Sequence, residues 1–94
     1  MKTSSAKRQI EKTRAFSKDI KKLSREVATA GWKTVLRYIY APQLNLRKLE
    51  GYDDVWRLVV KKDYRLVYSF DGNNIYLLRF AHRKDIYRLD IPLK

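Results

Sequence analysis

The chain has no cysteine. That excludes a disulfide scaffold and any thiolate metal site, and it fits a reducing compartment, so a cytoplasmic location is expected. No apolar run approaches the ~18 residues that a membrane-spanning helix needs, and no membrane association is expected. The first residues, Met1-Lys2-Thr3-Ser4-Ser5-Ala6-Lys7-Arg8, are basic but lack an apolar core, so they do not read as a secretory signal. There is no internal repeat and no low-complexity linker, and the 94 residues are expected to form one small domain, 1–94. The acids Asp53, Asp54, Asp63, Asp71, Asp85 and Asp90 fall mostly in expected turns and show no ligand spacing. A metal centre is therefore not expected, nor is a cofactor. His82 is the only histidine, and no serine–histidine signature accompanies it.

Acids are also scarce. Lys and Arg number 22 against 10 Asp and Glu, a net charge of +12. The imbalance is uneven: residues 1–48 carry 13 bases and 3 acids, residues 49–94 carry 9 bases and 7 acids. Solubility alone needs a net charge of only ~2–8 on a small domain. The surplus favours a polyanionic partner, either nucleic acid or an acidic protein that mimics it.

The remaining residues order themselves by period. Lys7 to Thr13 reads as a short first strand with Ile10 inward. Phe16, Ile20 and Leu23 then fall on one stripe of a helix, with Lys18, Lys21 and Lys22 turned to water. Ser24 is placed to cap a second helix, whose expected inward residues are Val27, Trp32, Val35, Leu36 and Ile39. Gly31 is expected to weaken or break that helix, and Pro42 to end it. Residues 14–41 thus form a basic helical hairpin. Gln43 to Asp54 is a connector with Leu44, Leu46 and Leu49 tucked beneath it and a turn at Gly51.

Three strands follow. In Val55–Lys61, Trp56, Leu58 and Val60 alternate with Arg57, Val59 and Lys61. Lys62-Asp63 is a tight connection. In Tyr64–Phe70, Tyr64, Leu66, Tyr68 and Phe70 alternate with Arg65, Val67 and Ser69. Asp71-Gly72-Asn73 makes a hairpin turn, and Asn74–His82 returns as a strand apolar on both faces. The expected class is α+β: a helical hairpin, after the short first strand, packed on an antiparallel β-meander. One sheet face is left partly bare of helix, with Arg57, Lys61 and Arg65 clustered on it. Beside them the last strand ends in Phe80-Ala81-His82-Arg83-Lys84-Asp85-Ile86-Tyr87-Arg88. An imidazole, guanidiniums and a phenol gathered at one strand end suit an anionic ligand. Without further context, a lone histidine there is more often structural than functional.

Leu49-Glu50-Gly51-Tyr52-Asp53-Asp54-Val55-Trp56-Arg57-Leu58, Asp63-Tyr64-Arg65-Leu66-Val67-Tyr68 and His82-Arg83-Lys84-Asp85-Ile86-Tyr87-Arg88 occur in this order and spacing after the helical hairpin. Over about residues 14–88 the chain resembles the RelE/ParE superfamily of type II toxin–antitoxin toxins. The resemblance implies one of two activities, or else a catalytically inactive member of the family. RelE-like members are small basic ribonucleases that cut mRNA at the ribosome; ParE-like members poison DNA gyrase. Members of both kinds are held inactive by an antitoxin. The RelE-like branch is favoured here, with the ribosome and mRNA as partners and a cognate antitoxin carrying an acidic amphipathic helix. Carried over residue by residue, the resemblance implies Arg65, His82, Arg83 and Tyr87 as the catalytic set. Arg57, Lys61, Lys62, Lys84 and Arg88 are the accompanying RNA-binding set. Relatives of the best-known type carry a second lysine where this chain has Val59, and Lys61 is the residue that would take over from it.

The chemistry implied is attack of a 2′-hydroxyl on the scissile phosphate without metal. It needs a proton acceptor, charges around the phosphorane and an acid for the departing 5′-oxygen. Arginine suits the phosphate and not the proton, because its pKa exceeds ~12. Arg65 and Arg83 are therefore expected as clamps. His82 is expected as general acid, or as base, and Tyr87 either moves the second proton or stacks on a base.

Overall fold

The computed structural model describes residues 9–39, 47–49, 51–52, 54–72 and 74–92. Along the chain come β1 (Gln9–Lys12), α1 (Arg14–Lys22), α2 (Arg25–Ile39), β2 (Arg47–Lys48), β3 (Trp56–Val60), β4 (Tyr64–Phe70) and β5 (Asn74–His82). A 3-10 turn, Ile86–Arg88, follows. The sheet order is β1-β5-β4-β3-β2. β3, β4 and β5 form the expected antiparallel meander, and β1 joins β5 in parallel. The class is α+β. Expectations for Lys7, Pro42, Leu44, Leu46 and Asn73 lie outside the described residues. No helix among the described residues is long and apolar enough to cross a membrane.

Side-chain caps set both helix starts. The Phe16 amide donates to Thr13 Oγ1 at 3.1 Å, and the Thr13 hydroxyl reaches the carbonyls of Leu77 (3.1 Å) and Leu78 (3.0 Å), tying α1 to β5. The Val27 amide donates to Ser24 Oγ at 3.2 Å, as expected. Phe16, Val27 and Val35 then bury against Leu58, Val60, Leu66, Tyr68, Ile75, Leu77 and Phe80.

Two expectations for α2 are corrected. The helix is continuous through Gly31. A Cβ there would strike Phe80 Cε2 and lie 2.6 Å from Cζ, so the glycine is the seat of the Phe80 ring and not a break. The inward line runs through Val27, Gly31 and Val35, at i, i+4 and i+8. Trp32 and Leu36, one position further round, are 39% and 42% exposed, against the expectation that they face inward. Trp32 lies instead under the Lys12 ammonium, 5.6 Å from the ring centre.

The sheet face away from the helices is less bare than expected. Leu49, Val55, Val67, Leu78 and Ile86 form a second buried cluster there, with Leu89 and Ile91 packed against it. The chain after β5 therefore folds back over this face. Among the described residues its β3–β4 corner stays open, and Val59 there is 50% exposed.

Candidate functional site

The open corner is built by pairing. Val59 sits opposite Arg65, Arg57 opposite Val67, and Arg65 opposite Ala81. Arg57 and Arg65 are thus diagonal neighbours on one face, a relation that spaces Cα atoms ~7–8 Å apart. Arg65 is also tied locally: Nη1 donates to the carbonyls of Lys62 (2.8 Å) and Tyr64 (3.0 Å). It braces the β3–β4 turn, in which Lys61 (φ 48°) and Lys62 (φ 68°) both adopt the left-handed conformation. Non-glycine residues rarely do so, and two in succession mark local strain. Lys61 does not face the open corner. Its ammonium is 2.8 Å from Glu26 Oε2 on α2, and this contact holds the Glu26 carboxyl below its usual value. The expected replacement for a lysine at Val59 is therefore engaged elsewhere.

Beyond β5 the backbone turns sharply. The Arg83 amide donates to the Asp63 carbonyl (2.8 Å), and Arg83 Nε lies 3.7 Å from Asp63 Oδ1. Arg83 is thereby moored beside the β3–β4 turn that Arg65 braces. Tyr87, on the 3-10 turn, is 57% exposed. Lys62, Lys84 and Arg88 are exposed as well.

His82 is placed differently from Arg65. Between β4 and β5 the register shifts at Val67/Tyr68: Val67 pairs with Arg79 and Tyr68 with Leu77, leaving Leu78 as an extra residue. Such a bulge reverses the alternation beyond it. Strict alternation from Leu77 would put His82 on the face of Arg65. With the bulge, His82 pairs with Tyr64 and stands on the helix side, its ring edge-on to the Tyr64 ring with centres 5.3 Å apart. The Lys84 amide donates to His82 Nδ1 at 3.1 Å. In the neutral ring the proton then resides on Nε2.

Sequence reasoning did not single out the ion pair behind this histidine. Arg79 Nε and Nη2 donate to Asp19 Oδ2 and Oδ1 at 2.8 and 2.9 Å, and the Phe80 amide donates to Asp19 Oδ2 at 3.0 Å. The carboxylate raises the Arg79 guanidinium further above its already high value. The signal was available: Asp19 lies one position before Ile20, three after Phe16, on the buried side of α1.

Residues 10–87 match the model of the ParE toxin of type II toxin–antitoxin systems, parDE. The chain belongs to the ParE toxin family. It is a type II toxin–antitoxin toxin of the RelE/ParE superfamily. Its fold is similar to a free-state mutant of E. coli toxin RelE, at TM-score 0.73 and 19% identity over 86% of this chain and 88% of that one. It is similar to the RelB–RelE antitoxin–toxin complex of Methanococcus jannaschii, at TM-score 0.66 and 24% identity over 85% and 98% of the two chains. It also resembles the chromosomal ParDE system of P. aeruginosa, at TM-score 0.67 and 11% identity over 82% and 97%. No curated protein sequence matches this toxin significantly.

Proposed function

We propose that this toxin is a metal-independent endoribonuclease that cuts mRNA at the ribosome in the cytoplasm and so stops translation. The observation that carries the reading is the cationic corner itself: Arg57 and Arg65 share one face, and Arg83 is moored to the turn beside them. Planar guanidiniums suit the equatorial oxygens of a phosphorane. The 2′-oxygen attacks phosphorus as the P–O5′ bond breaks. Tyr87, exposed on the segment that follows Arg83, accepts the 2′-hydroxyl proton and passes its own to the departing 5′-oxygen. The products are a 2′,3′-cyclic phosphate and a 5′-hydroxyl, with protons and charge conserved. His82 faces the other side of the sheet, so the proton steps are assigned to Tyr87.

The test is brief induction of the toxin alone, followed by mapping of mRNA 5′ ends. Cuts within translated frames are expected. Arg65→Ala, Arg83→Ala and Tyr87→Phe should each relieve growth arrest with the fold retained, and unchanged toxicity in all three would overturn the reading.

A second reading is favoured by Val59, half exposed between Arg57 and Arg65 on the open face. An apolar side chain inside a cationic patch suits a protein partner better than a phosphate. On that reading the toxin occupies DNA gyrase, and induction gives trapped gyrase and a DNA-damage response without mRNA breaks.

The partner that silences the toxin is an antitoxin, a reading supported by the RelB–RelE and DinJ–YafQ complexes among the similar structures. An acidic amphipathic helix matches the +12 charge and the exposed Trp32 and Leu36 on α2. Its affinity should fall as salt rises.

A further inference from the structure

At the outer edge of the sheet, the end of β5 borders a cleft of about 460 Å³, lined from both faces. Among the described residues β1 pairs with Asn74–Leu77 alone, and no described strand flanks the outer edge of β5 beyond that point. α1 and the 3-10 turn then stand off on either side of the gap. The cleft's floor is apolar: Leu23, Phe80, Ala81 and Leu89. Its polar wall is Lys22, His82 and Arg88, with Tyr64 beside the histidine.

We propose that this cleft is a binding site for the phosphate ester of a nucleotide, distinct from the cationic corner that Arg57 and Arg65 form on β3 and β4. Four features carry the assignment. The size and the lining, an apolar floor with a few convergent polar groups, are those of a small-ligand site, which typically spans ~300–1,000 Å³. His82 is oriented for donation, because the Lys84 amide holds Nδ1 and leaves Nε2 as the N–H. Lys22 and Arg88 make no ion pair among the described residues, so both cations are available. The acids in the lining are accounted for unequally. Asp19 is consumed by Arg79 and the Phe80 amide, which leaves Asp85 as the lining carboxylate without an ion pair among the described residues, against Lys22 and Arg88.

The wall is therefore cationic on balance within a chain of net charge +12. Lys21 and Lys22 also offset the carbonyl end of α1, which on its own would repel an anion. The Tyr64 ring, set at 76° to the imidazole, gives a base or ribose an aromatic edge beside the phosphate. The site does not depend on whether RNA or gyrase is the target, since none of its wall residues is shared with the Arg57–Arg65 corner.

The test is titration of the isotope-labelled toxin with inorganic phosphate and, separately, with adenosine 3′-monophosphate, followed by amide and imidazole NMR signals. Saturable shifts centred on His82, Lys84 and Leu23 are expected with both ligands, tighter with the nucleotide if the apolar floor holds the base. Equal affinities would assign the cleft to a bare phosphate group. A Lys22→Gln/Arg88→Gln double variant should bind at least tenfold more weakly, and Arg57→Gln should bind as the parent does. Shifts confined to the Arg57 and Arg65 face, non-saturating shifts, or a double variant that binds normally would each overturn the proposal. Loss of mRNA cleavage in Arg65→Ala with cleft binding intact would separate the two sites.

Discussion

Arg79 grips Asp19 with two parallel hydrogen bonds, 2.8 and 2.9 Å, across the outer edge of β5. The same carboxylate takes the Phe80 amide, a strand donor that β1 is too short to reach. Arg79 Nη1 also donates to the Asp90 carbonyl at 3.0 Å, so one guanidinium joins α1, β5 and the C-terminal segment. The edge is closed by side chains where a longer first strand would have closed it with backbone.

The pair is largely removed from water, with Arg79 and Asp19 side chains 15% and 5% exposed. Breaking a buried pair from one side leaves an uncompensated charge and costs about 3–5 kcal/mol. Asp19→Ala is expected at the upper end of that range, because it also orphans the Phe80 amide. Arg79→Met should cost less in an Asp19→Asn background than alone. Urea unfolding of the four proteins checks this, and additive losses would contradict it.

Gly31 and Phe80 make a second, purely steric relation. Alanine in a helix interior is ordinarily favoured over glycine by ~0.8–1 kcal/mol. Here the added methyl meets a ring that is itself locked, stacked against Phe16 at 6.2 Å and edge-on to Tyr64 at 6.4 Å. Gly31→Ala is expected to destabilise by about 1–3 kcal/mol, the usual cost of overpacking. In a Phe80→Leu background the same substitution should cost less or become favourable. Thermal melts of the four proteins test the reversal.

These relations show what the sequence carries and what it hides. β3 and β4 keep a strict period of two, so Trp56–Val60 and Tyr64–Phe70 are legible residue by residue, and Arg57 and Arg65 fall on the face their alternation assigns. β5 is not legible in that way. Its bulge residue, Leu78, adjoins Leu77, and both are buried, so the change of phase leaves no polar mark. That silent bulge is why the catalytic set read from sequence divides, with His82 on one face and Arg65 on the other. On α2 the difficulty is similar: the helix buries a glycine, and a period that reads only large apolar side chains slides onto Trp32 and Leu36.

The β3–β4 turn offers a prediction in which stability and activity separate. Lys62 adopts φ 68°, a conformation that costs a non-glycine residue about 1–3 kcal/mol. Glycine removes that strain but adds backbone entropy of ~0.5–1 kcal/mol in the unfolded chain. Lys62→Gly is therefore expected to stabilise by up to about 1–2 kcal/mol while lowering affinity for RNA through the lost charge. Chemical unfolding and a filter-binding titration at several salt concentrations measure the two effects. A variant that is both less stable and unchanged in binding would contradict both assignments.

The opposite end of the same turn responds to pH. Lys61 holds the Glu26 carboxyl below its ordinary value of 4.5, first by hydrogen bonding and then by charge. A carboxyl whose pKa is depressed on folding adds stability above its unfolded value, and that stability disappears as pH falls through the folded one. Glu26→Gln should thus be slightly less stable than the parent at neutral pH, with the two curves converging below pH 4.5 as the parent's carboxylate is protonated. The substitution also releases Lys61, whose ammonium is otherwise turned toward α2. Polyanion binding should consequently tighten in Glu26→Gln at low ionic strength, where released surface charge is least screened. Converging stability with no gain in binding would mean that Lys61 serves to hold the turn and takes no part in meeting the partner.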